Sequence, residues 1–217
     1  MKRTIVIGLL VVVAAMVSVP AMAQEMVETV TVRITNVSKQ IISPPVVASH
    51  SWKARIFIPG LVASTELSML AEDGDPSALA DLLAANEDVM DFAVADGPLL
   101  PGETLVFELA SQGPFDRISA VGMLVTTNDA FFGLDNFVVV RDNQNQRVSA
   151  PAWDAGTEFN SELCGFIPGP PCGSPFVRDT TDAEGFIHTH PGLHGDGDLS
   201  PANWDWRNPV VDILVIK

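Results

Sequence analysis

Glu28-Thr29-Val30-Thr31-Val32-Arg33-Ile34-Thr35-Asn36-Val37 sets the apolar residues Val30, Val32, Ile34 and Val37 against the polar Thr29, Thr31, Arg33 and Thr35. Alternate side chains of an extended chain share a face, so the stretch predicts a half-buried strand. Further short runs at 92–94, 104–109, 118–126, 131–140, 148–153, 185–190 and 210–216 read as strands. The breaks Gly97-Pro98, Pro101-Gly102 and Gly113-Pro114 separate several of them, as turn residues do. Many short strands with regular turn signals predict an all-β, antiparallel β-sandwich.

The early part of the chain is less regular. At 43–50, Pro44 and Pro45 forbid helix and predict an extended edge segment ending at His50, a lone histidine expected to pack or hydrogen-bond. Residues 52–58 form a short strand candidate closed by Pro59-Gly60. A small helical insertion follows. Ser64 caps a first piece with Leu67 and Leu70 on one side, and Asp75-Pro76 opens a second carrying Leu79, Leu82 and Leu83 at helical spacing. Glu72-Asp73-Gly74-Asp75 between them lacks the later acids of an EF-hand and reads as a solvated turn.

Residues 1–23 carry a different message. Lys2 and Arg3 precede a charge-free apolar run, and Ala21-Met22-Ala23 supplies a small-x-small cleavage site, so this segment is expected to be a secretory signal peptide. Residues 24–217 then form a single domain, with no further segment apolar enough to span a membrane. Losing Lys2 and Arg3 takes the formal charge from −15 to −17, because no acid precedes Glu25. So acidic a surface repels nucleic acid and anionic lipid. Export, to a periplasm or beyond the cell, also makes a disulfide the natural reading of the close pair Cys164 and Cys172. Asn36-Val37-Ser38 matches a glycosylation sequon, a pattern common by chance.

Two acidic turns stand out. Pro151-Ala152-Trp153-Asp154-Ala155-Gly156-Thr157-Glu158 places carboxylates on either side of a glycine that permits a tight turn, directly after a strand. Thr126-Thr127-Asn128-Asp129-Ala130-Phe131-Phe132-Gly133 puts a third acid between two apolar runs. Oxygen ligands on loops suit a hard cation such as calcium, which takes six to eight of them. Together the two segments resemble motifs of the spondin amino-terminal domain family, a Ser-Pro-Asp-Trp-Phe-x-Gly turn and a later Trp-Asp-Ala-Gly-Thr-Asp. The resemblance implies a C2-like β-sandwich, a Ca2+ ion held by Asp129, Asp154 and Glu158, and a role in extracellular or cell-surface adhesion. Its partners would be surface proteins or glycans. Glu158 stands where that family has aspartate, and Asn128 where it has proline. With ordinary carboxylate ligands, calcium is expected to stay bound at pH 5.5.

His188-Thr189-His190-Pro191-Gly192-Leu193-His194 offers a second arrangement. Residues two apart on a strand share a face, so His188 and His190 can point the same way and His194 can return after the Pro-Gly turn. Imidazoles so grouped suit zinc, copper or nickel, with Asp196, Asp198 and Asp205 nearby as supporting acids. The competing reading is a loop whose histidines hydrogen-bond to backbone. A metalloenzyme built on His188, His190 and His194 is therefore the alternative to a non-enzymatic binding module. The sequence contains no Gly-x-Ser-x-Gly elbow, phosphate-binding glycine loop or zinc-protease helix motif.

Overall fold

A computed structural model describes residues 26–140 and 145–217. The leader expected at 1–23 and residues 141–144 lie outside the described residues. Four strands form one antiparallel sheet in the order β4 (Thr104–Ser111), β1 (Glu28–Asn36), β10 (Val211–Ile216), β7 (Gln146–Ala150). Six form the other: β3 (Val89–Val94), β2 (Val46–His50), β5 (Arg117–Met123), β6 (Ala130–Val138), β8 (Ala152–Asp154), β9 (His188–Thr189). The expected all-β sandwich is thus present, and its helices are short: α1 (Thr65–Asp73), α2 (Ser77–Ala85) and α3 (Pro201–Trp204).

The alternation in β1 does what its period requires. Val30, Val32 and Ile34 are fully buried and meet Leu109, Ile213, Ile118 and Phe132 in the core between the sheets. Val37, out of phase and past the strand end, is exposed. The six-stranded sheet is buried on both faces, because α1 and α2 cover its outer side. Leu67, Leu70, Leu79 and Leu83 pack there with Val46, Ala48, Val121 and Phe131. Strands β2, β5 and β6 consequently read as near-continuous apolar runs, whereas β1 alternates.

The helical insertion is locally encoded. The Ser64 hydroxyl accepts from Leu67 N at 3.2 Å, Gly74 ends α1 in the left-handed region, and Asp75 Oδ1 accepts from Ser77 N at 2.9 Å. Leu82 departs from its expected place in the core, because α2 turns only Leu79 and Leu83 inward. The segment at 43–50 is no edge. Its prolines precede β2, which pairs with β3 on one side and β5 on the other. Residues 52–58 form no strand, since the Ser51 carbonyl and hydroxyl turn the chain by accepting from Ala54 N and Lys53 N and leave Trp52 exposed.

The run at 148–153 divides at Pro151. Its first half pairs with β10 in one sheet and its second half with β6 in the other, so the chain crosses the sandwich there. The strand expected at 185–190 shrinks to His188–Thr189 beside β8. Asn36 is buried, its amide donating to Gln40 O and Leu99 O, which removes it as a glycosylation acceptor. His50 is packed as expected, with ring nitrogens 2.7 Å from Ser51 O and 2.7 Å from Ser119 Oγ.

Cys164 and Cys172 form the expected disulfide, with Cα atoms 4.8 Å apart. Such a bond suits an oxidising, extracytoplasmic environment. Among the described residues no helix is long and apolar enough to cross a membrane.

Candidate metal centre

Register brings the acidic turns together. Ala130 pairs with Asp154 across β6 and β8, and Asp154 pairs with His188 across β8 and β9. Asp129 at the mouth of β6, Asp154 at the end of β8 and His188 at the start of β9 therefore meet at one end of the six-stranded sheet. Asp129, Asp154 and Glu158 are all essentially buried.

The turn after β8 is tied to Asp129. Asp129 Oδ2 accepts from Thr157 N (2.7 Å), Glu158 N (3.0 Å) and the Thr157 hydroxyl (3.2 Å). Its other oxygen, Oδ1, is buried and has no hydrogen-bond partner. Asp154 Oδ1 accepts from Gly156 N (2.7 Å), and Asp154 Oδ2 from Asn160 Nδ2 (2.6 Å). Glu158 Oε1 accepts from Asp179 N at 2.8 Å.

Gly156 is required twice over. Its φ is +67°, and a Cβ there would sit 2.3 Å from Phe186 O. Gly156→Ala is therefore expected to cost more than about 2 kcal/mol, combining left-handed strain with displacement of the 185–187 backbone. Urea unfolding of the variant beside the parent measures it, and an unchanged midpoint would contradict the close approach.

Burial dominates the electrostatics. Desolvation, and next the Asp154 charge, push Asp129 up to about 8. Desolvation pushes Glu158 up to about 8 as well, with Glu72 and Asp129 adding to it. Asp154 is also raised by burial, against the hydrogen bond from Asn160. Glu72 is raised by burial despite its neighbour Arg178, whose Nε lies 2.6 Å from Glu72 Oε2. The reading of Glu72-Asp73-Gly74-Asp75 as a solvated turn thus fails for its first two residues. Arg178 strapped over the end of α1 buries Glu72 and Asp73, and the Thr157 hydroxyl lies between Glu72 and Asp129.

The three histidines are not one ligand set. His190 is buried with both ring nitrogens occupied: Nε2 donates to Asn160 Oδ1 at 3.0 Å, and Nδ1 accepts from Gly192 N at 3.0 Å. Burial, then the neighbouring His188 and His194, press it down to about 3, so it is a neutral structural imidazole. His194 is exposed, and its backbone N–H is held by Glu162. Two of the supporting acids are engaged elsewhere, Asp205 with Leu193 N and Asp198 with Cys164 N.

His188 alone of the three joins the acids. Its Nε2 lies 3.8 Å from Asp154 Oδ1, and one ligand atom each from Asp154, Glu184 and His188 fall within 4.8 Å of one another. Among the described residues this is the one set of three metal-ligating groups so close. Asp129 and Glu158 flank it without entering it. The sequence reading missed Glu184, Glu72 and Asn160. The first two act only through long-range folding, while Asn160 in Glu158-Phe159-Asn160 was visible as a polar residue just past the turn.

Comparison with known proteins finds no matching family model and no matching curated protein.

Proposed function

We propose that the chain is a calcium-binding β-sandwich module of spondin type, exported from the cytoplasm and acting by binding rather than by catalysis. One observation carries the reading: Asp129 Oδ1 is buried, without a partner, beside the charge of Asp154. Buried acceptors are nearly always satisfied, and a carboxylate oxygen with nothing to accept from fits a cation. The donor set of Asp129, Asp154 and Glu158 is all oxygen, as calcium prefers, with backbone carbonyls and water to complete the shell. Bound there, the ion would offset the burial and repulsion that lift these acids and would tie β6 to the turn after β8.

The disulfide supports action outside the cytoplasm, and the spondin resemblance supports a surface protein or glycan as partner. The occupied nitrogens of His190 favour a binding module over the histidine-based enzyme. The Ser119–His50 pair is buried on both sides and suits a structural hydrogen bond rather than a nucleophile.

Melting the protein in EDTA and again with calcium at a hundredfold over its Kd tests the reading. That excess adds about 2.7 kcal/mol of stability, or roughly 5–10 °C for a domain of this size. Superimposed curves would refute calcium binding. Retention on immobilised matrix glycans or proteins in calcium but not in EDTA is the expected sign of the adhesive role, and retention indifferent to calcium would detach that role from the ion.

A further inference from the structure

We infer that Asp154 Oδ1, Glu184 and His188 Nε2 form a second site, sharing Asp154 with the calcium site, for a first-row divalent metal, zinc above all, at the open edge where β9 meets β8. Strand β8 lies between β6 and β9, so Asp154 stands between the turn carrying Asp129 and the strand carrying His188. Its donors are one imidazole nitrogen and two carboxylates, a set that zinc accepts and that differs in kind from the all-oxygen set around Asp129.

Three independent features point to it. The ligand atoms converge to within 4.8 Å of one another. The His188 ring is oriented: Nδ1 lies 3.2 Å from Thr189 O, and a carbonyl only accepts, so Nδ1 carries a proton while Nε2 is turned towards Asp154 Oδ1 at 3.8 Å. An imidazole that donates its far N–H to a backbone carbonyl and turns its other nitrogen towards carboxylates has the orientation of a metal-bound histidine. The ring is also held in place, since Phe186 packs against it with centroids 5.2 Å apart.

The remaining contacts fit this role. Asn160 Nδ2 donates to Asp154 Oδ2 and also lies 3.4 Å from Glu184 Oε1, so it orients both carboxylates. Glu184 and His188 are accessible, which leaves a path for a metal to enter and positions for water or an outside ligand to complete the shell. His190 lies 3.8 Å from the other Asp154 oxygen but keeps its Nε2 proton for Asn160, so it supports the site without ligating.

The test is a titration of the EDTA-treated, dialysed full chain with cobalt(II) chloride, followed by its visible d–d absorption, and then with zinc chloride to displace it. One saturable equivalent, displaced by zinc, is expected. His188→Ala should weaken cobalt at least tenfold, and Glu184→Gln, an exposed and sterically matched change, should weaken it in the same direction. Both variants should keep the calcium-dependent rise in melting temperature, which separates this site from the calcium site. No saturable cobalt binding, or binding equal in parent and Glu184→Gln, would overturn the inference. Cobalt binding lost in Glu184→Gln, in a protein that never responds to calcium, would uphold it and refute the calcium reading instead.

Discussion

Without calcium, the protein is expected to lose stability steeply as pH rises from about 6.5 to 8, and with saturating calcium that loss should vanish. Asp129 and Glu158 are held near 8 in the folded chain by burial and mutual repulsion, against ordinary values near 4 when unfolded. The native state then binds more protons than the unfolded state across that interval, so the stability these groups give is complete below about pH 4 and falls as pH rises through 8. His190 acts with the opposite sign. Buried neutral and pressed down to about 3, it leaves the folded state short of a proton below about 6.5, and stability falls there as pH drops. The two effects oppose each other below pH 6.5, and only the carboxylates act above it. At about 1.4 kcal/mol per pH unit for each proton, two carboxylates cost at most about 4 kcal/mol between pH 6.5 and 8. Calcium bound by both would hold them ionised, so its affinity is expected to rise over the same interval. Ordinary carboxylates implied retention at pH 5.5; the buried ones imply weakened binding there. Urea denaturation at closely spaced pH values, with EDTA and with calcium, gives both curves. Parallel pH profiles would show that these acids do not hold the ion.

How much of this was legible beforehand follows from which interactions are local. The β1 strand was plain because its one buried face imposes a period of two, and the caps of α1 and α2 were plain because Ser64 and Asp75 act within three residues. What failed needed a partner from elsewhere. Nothing near Ser43 says that β2 will be paired on both sides, and nothing in 148–153 except Pro151 hints that one run serves two sheets. The strand β8 is three residues long and exists through its register with β6 and β9.

The site divides along the same line. Asp129, Asp154 and Glu158 stood out as acids in turns flanked by apolar runs, and the fold brings these turns together. Glu184 and Glu72 carried no such mark, because a long segment returning from the disulfide places the one and Arg178 buries the other. The histidines show the limit most clearly. Spacing put His188 and His190 on one face, and both do approach Asp154, one at each oxygen. That His190 has its Nε2 already taken is decided by Asn160, through a hydrogen bond that no spacing encodes.

Replacing Asp129 with asparagine is expected to stabilise the calcium-free protein at pH 8 while abolishing its response to calcium. The substitution keeps the shape and one carbonyl-type oxygen, which can still accept from Thr157 N and Glu158 N. It replaces the unpartnered Oδ1 by an amide that donates, and it removes a buried negative charge from beside Asp154. Removing one of two mutually repelling buried carboxylates relieves a cost of about 2–4 kcal/mol at a pH where both would ionise. Asn160 and Gly156 still hold Asp154, so the turn should keep its form. Calcium, having lost the charge and the free oxygen that favour it, should then leave the melting temperature unchanged. An exposed acid of the other sheet, Glu108 on β4, serves as the control: Glu108→Gln should leave both the melting temperature and its calcium response as in the parent. Functional sites often sacrifice stability in this way, and a gain in stability coinciding with loss of ligand response separates a binding carboxylate from a structural one. If Asp129→Asn instead melts lower than the parent in EDTA at pH 8, the carboxylate stabilises the ion-free fold, and the case for a cation at its second oxygen fails.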